Sequence, residues 1–187
     1  MRLISFIFIL FYGTSAFSQP SVGRKGFVFG AAVGAGSVSL SSDLIGDARQ
    51  VGISFPNLKF GAMLNPKTAA VLLLPGSVYR YKWAGRERSR GFEGFFPSIQ
   101  YWARDRWWLL GGVGLGMDAP AFYDIKVETE RKFYFGPAAV AGTGYELWRR
   151  GRFALDVQGR AQFGSVSAPE GRRNGLVFNL LVGVNWY

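Results

Sequence analysis

Residues Arg152 to Gly164 read RFALDVQGRAQFG, with Phe153, Leu155, Val157, Ala161 and Phe163 on odd positions and Arg152, Asp156, Gln158, Arg160 and Gln162 on even ones. A strand sends successive side chains to opposite sides, so the segment has one apolar and one strongly polar face. In a soluble protein the apolar face would turn inward to a core. In a membrane barrel it would meet lipid, and the charged face would line the lumen. The rest of the chain decides between the two.

The chain has 187 residues, enough for one domain, with 26 glycines, 17% aromatic and only 18% charged residues. That balance departs from an average soluble domain. Its first residues, MRLISFIFILFYGTSAFSQP, set a basic Arg2 before an apolar run from Leu3 to Tyr12 and then small residues around Ala16 and Ser18. This is the layout of a secretory signal peptide, expected over residues 1–18 with cleavage after Ser18 or Ala16, leaving 19–187 as a single domain. Cysteine is absent, so disulfides, a thiolate metal site and a cysteine-borne lipid anchor are not expected. Histidine is absent too, which removes the commonest general base and metal ligand. Beyond the leader no run of about 18 apolar residues occurs, so any membrane crossing would be made by strands.

Eight segments read as strands: Gly26–Val38, Val51–Met63, Thr68–Trp83, Phe92–Trp102, Trp107–Met117, Phe133–Trp148, the opening stretch, and Leu176–Tyr187. In the last, Leu176, Phe178, Leu180, Val182, Val184 and Trp186 alternate with Asn179, Gly183 and Asn185. The second changes phase at Pro56, where a bulge is expected. The connections alternate in length, LNPK, ARDR and RRG being short, and Ser39–Gln50, Ala84–Arg90, Asp118–Lys132 and Ser167–Asn174 longer and polar. Short turns at one end and long loops at the other is the layout of an outer-membrane barrel. Trp83, Tyr101, Trp102, Trp107, Trp108, Phe133, Tyr134, Tyr145, Trp148, Trp186 and Tyr187 fall near strand ends, where aromatic girdles are expected. These signals predict an all-β, eight-stranded antiparallel transmembrane barrel in the cell outer membrane. The competing fold is a soluble calyx carrying a small ligand, with the faces reversed.

The KGFVFGAAVGAGSVSL opening, the glycine-rich strands and the aromatic terminus GVNWY resemble the small eight-stranded outer-membrane barrels of the OmpA/OmpX type, in particular the outer-membrane β-barrel proteins of Bacteroidetes. The resemblance implies a monomeric barrel inserted by the outer-membrane assembly machinery through its C-terminal strand. It also shows a departure, since Trp186 is in phase with the lipid-facing residues of that strand and Tyr187 is not.

Eight strands enclose a lumen that side chains fill. The inward polar set is predicted to be Lys59, Arg80, Lys82, Gln100, Glu146, Asp156, Gln158, Arg160 and Gln162, joined as ion pairs and hydrogen bonds because buried charges need partners. Asp156 and Arg160 are the expected pair, with Arg80 or Glu146 joining across the lumen. Several enzymes are built on similar barrels and use a catalytic histidine, so this chain is expected to be no enzyme and to need no cofactor. Glycine spacing in GAAVGAG lacks the Lys-Ser/Thr of a phosphate loop. The formal charge is +10, or +9 once Arg2 leaves with the leader. An exported barrel is not expected to meet nucleic acid, so the clusters AGRERSRG and PEGRRNG point to another polyanion. Arg86, Arg88, Arg90, Arg172 and Arg173 are the candidate contacts to lipopolysaccharide phosphates. The expected role is structural, adhesive or accessory to the envelope. An alternative is a subunit or assembly factor of a secretion or gliding apparatus, docking through Asp118–Lys132.

Overall fold

The computed structural model describes residues 23–42, 48–83, 86–121, 132–168 and 171–187, with the backbone alone at 42, 48, 81–83 and 86–88. The signal-peptide expectation lies outside these residues. Eight strands follow in order: β1 Phe27–Ser42, β2 Ala48–Asn65, β3 Thr68–Trp83, β4 Arg86–Trp102, β5 Trp107–Pro120, β6 Tyr134–Arg150, β7 Phe153–Ala168 and β8 Gly171–Trp186. Each pairs antiparallel with its sequence neighbour, and β8 returns to β1 from Phe29↔Trp186 to Ser42↔Arg173, closing the barrel. Closure leaves no edge strand, although the β2–β3 ladder ends at Asn57↔Pro75 while both strands continue.

Period-two alternation sets the two faces. Along β8, Leu176, Phe178, Leu180, Val182 and Val184 are exposed while Val177, Asn179, Leu181 and Asn185 are buried. Phe27, Val33, Ile53, Val113, Leu115 and Leu180 are more than half exposed, and they belong to a belt of large apolar side chains that runs round the outside. A soluble protein does not expose so continuous an apolar surface. The belt is therefore a lipid-facing surface, and the calyx arrangement, which needs these side chains inside, is not the one formed.

The strands run past the hydrocarbon. A tilted strand crosses it in about 9–11 residues, whereas β2 has 18 and β5, the shortest, has 14. The surplus lies at the end away from the termini, here termed the far end, where three of the four polar stretches read as loops are largely strand. β1 reaches Ser42, β4 starts at Arg86, β7 reaches Ala168 and β8 starts at Gly171. Polar residues crowd the sequence there, as in Arg86–Arg90 and Gly171–Asn174, so the apolar alternation is broken while backbone pairing continues.

The bulge at Pro56 is present: β1 and β2 shift register between Ala32↔Asn57 and Gly34↔Ser54. One extra residue in β2 keeps Ile53 and Phe55 outward above it and Asn57 and Lys59 inward below it. A second shift, between Glu146↔Asp156 and Trp148↔Leu155, leaves Glu146 inside and both Leu147 and Trp148 outside.

Candidate functional site

The lumen is filled at three levels. Near the termini Glu146, fully buried, receives Arg24 Nη2 at 2.8 Å and the Trp102 indole N–H at 2.8 Å. Arg24 precedes β1 and lies over the rings of Trp102, at 4.5 Å, and Tyr187, at 5.7 Å. These two rings meet edge to face at 5.3 Å, so a cation, two aromatic faces and a carboxylate close this end.

At mid-height Asp156 accepts from Gln158 Nε2 at 2.7 Å, Asn185 Nδ2 at 2.9 Å and Trp108 Nε1 at 3.1 Å. Arg160 donates to Gln158 Oε1 at 2.6 Å and to Asn57 Oδ1 at 3.0 Å. Gln158 thus stands between Asp156 and Arg160, where the sequence suggested a direct ion pair: it lies between them on the same face and bonds both. Lys59 donates to Gln100 Oε1 at 2.8 Å and sits 5.3 Å from the Trp108 ring centroid. Asn57 bonds Ser54, and Ser77 donates to Asn179, so the network spans the lumen. Gly144 lets the Trp108 ring lie against β6, for a Cβ there would come within 2.3 Å of it.

At the far end Asp118, fully buried, holds Arg90 Nε at 2.6 Å, the Arg173 guanidinium and the Tyr79 hydroxyl at 2.8 Å. Arg173 also donates to the Tyr79 oxygen at 3.0 Å. Four strands, β3, β4, β5 and β8, meet at this one carboxylate. Phe92 packs below it over Gly164 and Gly175, and a Cβ on Gly175 would approach the ring to 2.6 Å.

Lys59, Gln100, Glu146, Asp156, Gln158, Arg160 and Gln162 are buried in the lumen. Arg80 is placed differently from the reading above, on the exposed outer face, because β3 turns Val71, Leu73 and Tyr79 inward. That strand is apolar on both faces along Ala69–Leu74, so its sequence carries no contrast to fix its phase. Lys82 shares the register of β3, but its side chain lies outside the description. Among the candidate phosphate contacts, Arg172 is exposed, and Arg90 and Arg173 are buried on Asp118. Strand pairing runs on through both basic clusters and parity sends these two inward. Arg86 and Arg88 stand at the far end of β4, opposite Trp83 and Tyr81.

The aromatic ends also divide by parity. Tyr101, Trp107, Tyr145, Trp148 and Phe153 are exposed as a girdle near the turns, whereas Trp102, Trp108 and Tyr187 are buried inside. Each adjacent pair, Tyr101–Trp102, Trp107–Trp108 and Trp186–Tyr187, supplies one ring to each face. The out-of-phase Tyr187 is explained by its packing on Trp102. Arg24, Tyr79 and Asp118 were not singled out from the sequence as lumen residues, and Trp102 and Trp108 were expected in the girdle but are buried inside. Asp118 carried a usable signal, being in phase with the inward Gly112, Gly114 and Gly116.

No protein-family model and no curated protein sequence matches the chain. Solved structures do. Ail, the attachment invasion locus protein of Yersinia pestis, is 11% identical over 87% of this chain and 99% of its own, with a TM-score of 0.58. Neisserial surface protein A is 18% identical over 88% and 98%, with a TM-score of 0.56. Ail in complex with the heparin analogue sucrose octasulfate is 12% identical over 86% and 99%, with a TM-score of 0.54. The fold is that of the small eight-stranded outer-membrane barrels, and the apolar belt suits it to a lipid bilayer.

Proposed function

We propose that the protein is a non-enzymatic, monomeric integral barrel of the outer membrane, with a structural, adhesive or accessory role in the envelope. The observation that carries this reading is the pairing of a continuous apolar exterior with a lumen filled at three levels by bonded side chains. A lumen so filled is a strut rather than a pore. What such a barrel offers its surroundings is its far end, raised clear of the hydrocarbon by the surplus strand length.

That end is basic. Arg86 and Arg88 on β4 and the exposed Arg172 on β8 remain the candidate contacts to lipopolysaccharide phosphates, with exposed Arg80 close by; Arg90 and Arg173 drop out because Asp118 holds them. Guanidinium forks suit phosphate and sulfate oxygens, and the polysulfated ligand on the Yersinia barrel has the same chemistry. The complex-subunit alternative would use the β5–β6 connection, most of which lies outside the described residues.

Fractionation of the expressed protein followed by electrophoresis with and without boiling tests the barrel reading. Recovery in the outer membrane with heat-dependent mobility is expected, and recovery as a soluble protein would overturn it. Replacing Arg86, Arg88 and Arg172 by glutamate should weaken binding of purified lipopolysaccharide by tenfold or more at low salt. Unchanged binding would remove the phosphate contact and leave the barrel standing.

A further inference from the structure

The end of the barrel that holds the termini does not carry its charge evenly. Two neighbouring turns supply five arginines, Arg104 and Arg106 between β4 and β5, and Arg149, Arg150 and Arg152 at the β6–β7 hairpin. The other half of this rim has one exposed lysine before β1, Lys25, and one between β2 and β3, Lys67. Among the described residues Asp105 is the one acidic side chain exposed at this end. Arg149 answers it, standing 3.8 Å from Asp105 and 3.7 Å from the buried Glu146. Asp105 is thereby spent, and the charge of the other four guanidiniums is left over.

The two turns are fastened together and aimed outward. Arg24 Nη2 donates to the Asp105 carbonyl at 2.5 Å, and the Glu146 N–H donates to the Arg106 carbonyl at 2.8 Å. Arg106 Nη1 donates to the Leu147 carbonyl at 3.5 Å. Directly paired residues share a face of the wall. The Arg150↔Phe153 pair therefore puts Arg150 outside with Phe153, which is 55% exposed. The Arg152 guanidinium lies 5.4 Å from the centre of the Trp186 ring, on the outward phase of β8. Leu147 and Trp148 are exposed on the same outer face. Arg150 and Arg152 thus border the aromatic girdle, at the depth where such rings meet lipid headgroups.

That depth selects the occupant. Attraction between a basic side chain and a charged lipid surface fades within a Debye length, so cations beside the girdle act on headgroups and cations held far from it do not. A phosphodiester presents the oxygens that guanidinium forks bind in pairs. An ammonium on the same head would be repelled by the surplus arginines, so the charge favours a head of net negative charge over a zwitterionic one.

We propose that the β6–β7 hairpin, with the β4–β5 turn beside it, holds an anionic glycerophospholipid of the leaflet at this end, its phosphate on Arg150 and Arg152 and its acyl chains against Leu147, Trp148 and Phe153. The proposal rests on the membrane reading above and is independent of the lipopolysaccharide contact, which lies at the opposite end.

The test uses the whole barrel in phosphatidylcholine vesicles with a trace of phosphatidylglycerol or phosphatidylcholine that bears a diazirine high on one acyl chain, and maps the photo-crosslinks by mass spectrometry. At low salt the phosphatidylglycerol probe should label residues 147–153 about tenfold more than the phosphatidylcholine probe does. Arg150→Gln/Arg152→Gln should remove that preference and leave phosphatidylcholine labelling unchanged, because both side chains are exposed and the fold does not depend on them. Lys67→Gln, across the barrel from β6–β7, should leave the preference intact. Equal labelling by the two probes, or a preference that survives the double arginine variant, would overturn the site. An equal loss with Lys67→Gln would reduce the site to a diffuse field and overturn it as well. Inorganic phosphate should displace the probe no better than sodium chloride at the same ionic strength, and better displacement would overturn the lipid as occupant in favour of a free anion. Failure to insert into vesicles, seen as loss of heat-dependent mobility in the unsubstituted protein, would instead overturn the membrane reading.

Discussion

The two ends of the lumen are closed by one buried carboxylate each, but in different ways. Asp118 gathers Arg90, Arg173 and Tyr79 from three other strands, so every partner is part of the wall. Glu146 is met by Arg24, which lies before the first strand, and by Trp102. The far knot braces strands against each other, whereas the near knot fastens a tail under the barrel. In the far knot two guanidiniums share the one carboxylate of Asp118.

That dependence makes Asp118 the place where the comparison breaks most severely. Asp118→Ala takes from the buried Arg90 and Arg173 the carboxylate that both pair with, and removing one partner of a buried ion pair costs about 3–5 kcal/mol. Reversible urea unfolding of the barrel in lipid vesicles should show a loss in that range. A loss under 1 kcal/mol would mean that water reaches both guanidiniums and that the far knot is no brace.

Arg24→Ala should cost less, about 2–3 kcal/mol, the scale of a hydrogen bond to a charged group. Glu146 keeps the Trp102 indole, and Arg149 stands 3.7 Å away to take part of the charge. The same unfolding experiment sharpens the contrast, because a loss equal to that of Asp118→Ala would make the tail as integral to the barrel as any strand.

The difference between the knots also governs what the sequence discloses. β7 alternates polar residues with apolar ones or glycine along Leu155–Phe163, so Asp156, Gln158, Arg160 and Gln162 could be placed inside from parity alone. β3 could not be phased in the same way, because Val71, Leu73 and Tyr79 are apolar and inside while Arg80 is charged and outside. At the far end Arg90, Asp118 and Arg173 fall in polar stretches that resembled loops, although each keeps the parity of its strand. Continuing that parity beyond the apolar belt would have brought all three inward. No such rule reaches Arg24, which belongs to no strand and is placed only by the closed barrel. The end of the β2–β3 ladder is equally invisible in advance, since Pro56 marks a bulge but not which ladder ends at it.

The mildest perturbation separates the aromatic part of the near knot from its charge. Trp102→Phe keeps a ring beneath Arg24 and beside Tyr187 but removes the indole N–H that Glu146 accepts at 2.8 Å. The ion pair with Arg24 is left in place, so the expected cost is about 1.5 kcal/mol, the lower bound for a hydrogen bond to a charged acceptor. The adjacent Tyr101 supplies the control: its ring is exposed on the lipid side, and Tyr101→Phe should change stability by less than about 0.5 kcal/mol. Neighbouring residues of nearly the same size would then differ about threefold in energetic weight solely because one faces the lumen. Equal losses from the two substitutions would show that Trp102 contributes through its ring rather than its N–H, leaving Glu146 secured by its arginines.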